Sequence, residues 1–201
     1  MRNIRFIFDL DGTITREETL PIISKHFKVQ DEIDKLTRET IDGNIPFVES
    51  FIRRVHILSK LPIDEISILL EKVSLYKKVV EFMQTHRENC IIATGNLECW
   101  VDKLLTNIGC EYYCSKGIVK NNKVIKLESI IKKESVVEHY KSQGDKVVFV
   151  GDGNNDVEAM RLADISIASG LTHLPAKSVL SIADYLVCSE EALCRQLNQL
   201  L

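Results

Sequence analysis

Apolar and polar positions divide this chain into two kinds of territory. An apolar run, Ile4-Arg5-Phe6-Ile7-Phe8, stands near the start and reads as a buried strand. From about Arg16 to Val73, apolar residues recur at helical spacing between polar joints such as Gly43-Asn44 and Leu61-Pro62, so this block is expected to be helical. From Lys77 onward the pattern alternates. Helices are expected at Val79 to His86, Leu97 to Asn107, Glu134 to Lys141, Asp156 to Leu162 and from Glu190. Between them, strands are expected at Cys90 to Ala93, Tyr112 to Cys114, Val147 to Val150 and Ile165 to Ala168, with a hairpin-like stretch around Gly117 and Asn121-Asn122. Strands alternating with helices imply an α/β fold built on a doubly wound, Rossmann-like parallel sheet. The helical block is then an insertion after the first strand: residues 1–14 and 77–201 form the core, and 15–76 form a helical cap.

In such a sheet, ligands gather where strands end. The first strand ends in Asp9-Leu10-Asp11-Gly12-Thr13. Residues i and i+2 of a strand point the same way, so Asp9 and Asp11 aim at one small volume. Two carboxylates there need a cation between them, or one must keep its proton while the other ionises. Gly12 permits the tight turn, and Thr13 adds a hydroxyl beside the pair. The strand ending at Ala93 leads into Thr94-Gly95-Asn96, whose hydroxyl and backbone amides, at the start of a helix, suit an anionic phosphate. After Val150 comes Gly151-Asp152-Gly153-Asn154-Asn155-Asp156, a glycine turn rich in oxygen donors and suited to a hard cation such as Mg²⁺.

Composition narrows the context. The 201 residues suffice for a substantial core, and the net charge of −3, with no long basic block, excludes nucleic acid and anionic membrane surfaces as expected partners. No apolar run reaches the roughly 18 residues of a membrane span, and Met1-Arg2-Asn3 leads directly into a strand, so a cytoplasmic protein, monomer or homodimer, is expected. The six cysteines form no Cys-x-x-Cys pair, which disfavours zinc and suits buried thiols of a reduced compartment. His26, His56, His86, His139 and His173 lack ligand spacing and read as surface or satisfied structural residues, and Trp100 reads as packing.

Asp9-Leu10-Asp11-Gly12-Thr13, Thr94-Gly95 and Gly151-Asp152-Gly153-Asn154-Asn155-Asp156 resemble three signatures of the haloacid dehalogenase-like hydrolases, in the Asp-x-Asp form of their phosphatases. The remaining signature is a lysine upstream of Gly151. Lys133 is preferred because Val136 and Val137 follow at helix-burial spacing, with Lys132 open. The stretches Asp11 to Pro21 and Gly43 to Val55 are similar to phosphoserine phosphatases. That resemblance implies Asp9 as nucleophile, Asp11 as general acid and base, and Thr94, the Gly95 amide and Lys133 around the transferring oxygens. It also implies Mg²⁺ held by Asp9, the Asp11 backbone carbonyl and Asp152, with Asn155 and Asp156 orienting that site. Glu18 would bind the substrate amino group, and Arg54 its carboxylate, with Phe47 beside them. The expected partner is thus a small phosphorylated metabolite, phosphoserine favoured. Thr94-Gly95-Asn96 departs from the usual Ser-Gly-Gly, and Ser169-Gly170-Leu171-Thr172-His173 from the Ala-Lys-Pro type of sequence, so a phosphatase or phosphotransferase for another small phosphomonoester is the alternative. A phosphoryl-accepting regulatory module is more distant, since it needs neither Asp11 nor a cap.

Overall fold

The chain, described from a computed structural model over residues 3–41 and 44–201, places seven strands in one sheet. The side chains of Ile41 and Phe47 lie outside this description, as does Gly43. Strands β1 (Ile4–Phe8), β2 (Cys90–Leu97), β3 (Glu111–Lys120), β4 (Lys123–Ser129), β5 (Lys146–Gly151), β6 (Ile165–Ser169) and β7 (Tyr185–Val187) stand in the order β4-β3-β2-β1-β5-β6-β7. All pairings are parallel except β3 with β4, an antiparallel hairpin turned through Asn121 and Asn122, both at positive φ. The α/β class and the doubly wound parallel sheet are therefore as the alternating pattern implies.

The central strands read as continuous apolar runs because both faces are covered. Side chains of β1 alternate between the two: Phe6 and Phe8 enter one core cluster with Ile92, Val148 and Val150, while Ile7 joins Ile91, Val147 and Phe149 in the other. The first face is covered by α5 (Lys77–Thr85), α6 (Glu98–Ile108) and α10 (Glu190–Leu200), the second by α7 (Lys133–Ser142) and α8 (Val157–Leu162). Trp100 is buried in the first cluster, as packing requires.

Between β1 and α5 the described residues form four helices, α1 (Thr19–His26), α2 (Gln30–Ile41), α3 (Phe47–Leu58) and α4 (Ile63–Glu71), and no named strand. Their inner faces, including Ile23, Ile33, Phe51, Leu58 and Leu70, continue the first cluster. The segments by which the chain enters and leaves this block are tied together. Thr15 and Leu75 form an isolated antiparallel bridge, and the Tyr76 N–H donates to the Ile14 carbonyl at 2.9 Å.

Three readings of the sequence change. Strand β2 does not stop at Ala93 but runs to Leu97, with irregular register between Thr94 and Leu97. Thr94-Gly95-Asn96 therefore lies on an irregular strand end, and α6 begins only at Glu98. The three-residue β7 and the four-residue α9 (Lys177–Leu180) are too short for a periodic signal, and the sequence shows neither. Finally, a 3-10 turn at Asn154–Asp156 precedes α8, so Asp156 caps that helix rather than opening it.

Candidate active site

Successive connections leave β1 and β5 toward opposite edges of the sheet, which makes the gap beyond their carboxyl ends the switch point where such sheets bind ligands. Asp9 follows β1 there and Asp152 follows β5. Gly12, at φ +68°, turns the chain back over this gap. A side chain at that position would press on Asp152 Oδ2 and Glu18 Oε1, at 3.1 and 3.2 Å from its Cβ.

Lys133 occupies the first turn of α7 and is 3% exposed. Its Nζ donates to Asp9 Oδ1 and Asp156 Oδ1, each at 2.6 Å. Lys132, one residue earlier, is exposed. Asp156 is fully buried, and its other oxygen accepts the backbone N–H groups of Asp152 at 3.0 Å and Gly153 at 2.9 Å. This approach depends on glycine: a Cβ at Gly151 would lie 2.5 Å from Asp156 Oδ2. The Thr13 hydroxyl donates to Asp152 Oδ1 at 3.3 Å.

Ligand oxygens of Asp9, Asp152 and Asp156 come within 4.8 Å of one another, against a single buried lysine. The excess negative charge shows in the acidities. Burial, then the neighbouring Asp156, hold the Asp9 carboxyl well above the usual carboxylate range, although Lys133 opposes them. Burial and the Asp9 charge push Asp152 up to about 9. Asp156 and Asp9 hold the Lys133 ammonium above its ordinary value, against the burial that would lower it. A hard divalent cation fits this donor set, because it adds the missing positive charge to an all-oxygen cluster. Asp156 spends both oxygens on Lys133 and the backbone, which leaves Asp9 and Asp152 as the better placed carboxylates for it.

The Asp11 side chain stands apart from this cluster. Its carboxylate accepts the Thr19 N–H and the Asn96 side-chain amide, both at 2.7 Å. Burial and the Glu18 charge raise it to about 6, with the bonds from Thr19 and Asn96 opposing the rise. Asp11 is thus a carboxyl able to hold a proton near neutral pH, beside carboxylates that a cation would keep ionised.

A pocket of about 300 Å³ lies over these groups. Asp9, Asp11, Asp152, Asn155, Gly95 and Asn96 line it from the sheet side, and Glu18, Thr40, Phe51 and Arg54 from helices α1 to α3 and their approach. Arg54 donates to Thr40 Oγ1 at 3.4 Å, but its buried Nε has no hydrogen-bond partner among the described residues. Burial lowers the Arg54 pKa, and the Glu18 charge opposes that shift. Glu18 and Arg54 thus present opposite charges to one space.

Of the residues singled out from sequence, Asp9, Asp11, Glu18, Arg54, Gly95, Asn155 and Asp152 meet at this pocket, with Lys133 and Asp156 directly beneath. Thr94 is buried behind Asn96, whose backbone and side-chain N–H groups both donate to its hydroxyl at 3.2 Å. Phe47 falls in α3, with its side chain outside the description. Two residues stand out that the sequence reading undervalues. Asn96 bridges Asp11 and the Thr19 hydroxyl. His173, read as a surface or satisfied structural residue, is exposed and hydrogen-bonded, and its position adds what spacing does not show: it lies 2.9 Å from Glu18 Oε1 and 3.3 Å from Asp152 Oδ2. Its bonds to the Glu18 carboxylate and the Leu174 carbonyl hold its ring above the usual imidazole value, against partial burial. For Phe51 a signal exists, since it shares a helix face with Arg54 at i, i+3.

Residues 5–164 match the family model of haloacid dehalogenase-like hydrolases. The chain belongs to that family. Among relatives of known function, a phosphoserine phosphatase of Methanocaldococcus jannaschii is 26% identical over 175 residues, covering 81% of this chain and 83% of the relative. The phosphoserine phosphatase of Archaeoglobus fulgidus is 27% identical over 175 residues, but those span only 51% of its own length. A substrate-bound phosphoserine phosphatase structure superposes on this hydrolase with a TM-score of 0.80 at 23% identity, over 100% of this chain and 99% of that one. At that identity the likeness establishes the shared fold. Among the described residues, no helix is long and apolar enough to cross a membrane.

Proposed function

We propose that this hydrolase is a Mg²⁺-dependent phosphomonoesterase of the cytoplasm that works through an aspartyl phosphate, with phosphoserine its favoured substrate. The observation that supports this most is one pocket whose floor holds Asp9 against Lys133 and whose roof holds Glu18 and Arg54. The names of the relatives agree with it.

In this reading residues 15–76 act as a cap over a core of residues 1–14 and 77–201. Arg54 pairs with the substrate carboxylate, Glu18 faces its ammonium, and the phosphoryl group sits between Asp9 and the Gly95 amide. Leu10 N–H and Lys133 both donate to Asp9 Oδ1, at 2.8 and 2.6 Å, which fixes the carboxylate and leaves Oδ2 for attack. Asp9 bonds to phosphorus as the ester oxygen departs, and Asp11 gives that oxygen its proton. Asp11 then takes a proton from water as the water oxygen attacks phosphorus, the Asp9 bond breaks and phosphate leaves. Bound through Asp9, Asp152 and the Asp11 carbonyl, Mg²⁺ would offset the charge of phosphate and carboxylates. Lys133 holds a second fixed charge beside the transferring oxygens, Asp156 and Asn155 keep that corner in place, and Thr94 supports Asn96 and hence Asp11.

The test is phosphate release from a panel of phosphorylated metabolites with Mg²⁺ present. Phosphoserine should give the highest kcat/KM. A different small ester turned over in its place would move the substrate assignment, and no hydrolysis of any monoester would end the proposal.

A further inference from the structure

The loop between β6 and α9 is held against the pocket on both sides. The Thr172 hydroxyl donates to the Thr15 carbonyl at 3.3 Å and meets the Tyr76 hydroxyl at 3.2 Å. Four residues later, the Ala176 N–H donates to the Asp152 carbonyl at 2.8 Å. His173 stands between these anchors and lines the pocket with Glu18 and Arg54. Its Nε2 reaches Glu18 Oε1 at 2.9 Å. The side chains are 46% and 41% exposed, so the pair borders open pocket rather than sealed core.

Resting on the substrate reading above, we infer that His173 sets how strongly the pocket demands an ammonium on its phosphoester. Glu18 has one carboxylate to offer, and His173 already donates to its Oε1, so part of the negative charge an incoming ammonium would meet is engaged. A substrate ammonium therefore competes with His173 for the charge of that carboxylate, whereas an ester lacking the amino group leaves the pair undisturbed. Arg54, on α3, meets the substrate carboxylate in either case. The substrate class is accordingly a small phosphorylated carboxylate, with amino and des-amino forms less sharply separated than an unoccupied Glu18 would separate them.

The experiment compares O-phosphoserine with its des-amino analogue, 3-phosphooxypropanoate, each as competitor of p-nitrophenyl phosphate hydrolysis. Competition constants read binding whether or not the competitor is turned over. The ratio of the two cancels any effect of His173 on Asp152, which both esters share. His173→Leu should raise the preference for phosphoserine about fivefold, the upper range for a partly exposed pair. His173→Gln, which keeps an N–H donor at the same reach, should retain the wild-type ratio. A ratio unchanged or lowered in His173→Leu, or raised equally in His173→Gln, overturns the inference. Failure of the substrate reading looks different: phosphoserine would compete without being hydrolysed. Absence of hydrolysis of both p-nitrophenyl phosphate and phosphoserine would remove both readings.

Discussion

Replacing Lys133 by methionine removes one charge from a buried group of four and leaves shape nearly unchanged. The lysine is 3% exposed and bonds Asp9 and Asp156 at 2.6 Å each. Without it, three carboxylates whose oxygens gather within 4.8 Å lose their only buried counter-charge among the described residues. Breaking a buried ion pair by deleting one partner costs about 3–5 kcal/mol, and in a chain of this size each kcal/mol lowers Tm by roughly 2–4 °C. A loss of roughly 6–20 °C is expected in the presence of a chelator. The pH dependence gives the reasoning its sign. Lys133 opposes the upward pKa shifts of Asp9 and Asp152, so both pKa values rise further in the variant. Unfolded carboxylates titrate near about 4. Above that pH the folded variant must hold uncompensated charge or bind protons the unfolded chain releases, so the gap to wild type widens as pH rises. It closes as the pH falls below about 4, where carboxyls become protonated in both states. Guanidinium unfolding at pH 5 and pH 8, followed by circular dichroism, measures this. A gap that is absent, or larger at pH 5 than at pH 8, would refute the electrostatic account.

Asp11→Asn should reduce phosphoserine hydrolysis by about 10²–10⁴, with a smaller loss for p-nitrophenyl phosphate, whose leaving group needs no proton; steady-state kinetics on both esters checks it. Gly151→Ala should cost about 1–3 kcal/mol and lower activity, because the new Cβ would stand 2.5 Å from Asp156 Oδ2; thermal unfolding together with turnover is the measurement. Chelation of divalent cations should abolish turnover, and Mg²⁺ at a hundred times its dissociation constant should stabilise the fold by about 2.7 kcal/mol in a thermal titration.

What the sequence makes legible here depends on periodicity and on short-range spacing. The apolar run of β1 marks the end from which Asp9 and Asp11 both reach the pocket, although β1 stops at Phe8 and Asp11 lies in the turn, its carboxylate held by Thr19 and Asn96 rather than aimed along a strand face. The Val136 and Val137 spacing picks Lys133 over Lys132 for burial. Gly151 and Gly153 mark a turn that must let a carboxylate approach the backbone, as Asp156 does. His173 is hidden for the opposite reason. It lies in an aperiodic loop, and its partner Glu18 is 155 residues away, brought near only by the docking of that loop on Thr15 and Asp152. The role of Asn96 is obscured in a related way, because β2 continues past Thr94 through an irregular register that no local pattern announces. Short edge elements such as β7 offer three residues, too few for any period to show.

The central claim is that Asp9 takes the phosphoryl group. Wild-type enzyme mixed with phosphoserine and Mg²⁺, quenched in acid within the first turnover and digested, should yield a phosphorylated peptide containing Asp9 by mass spectrometry, and Asp9→Asn should yield none and release no phosphate. Phosphorylation of another residue, or turnover surviving in Asp9→Asn, would contradict the account.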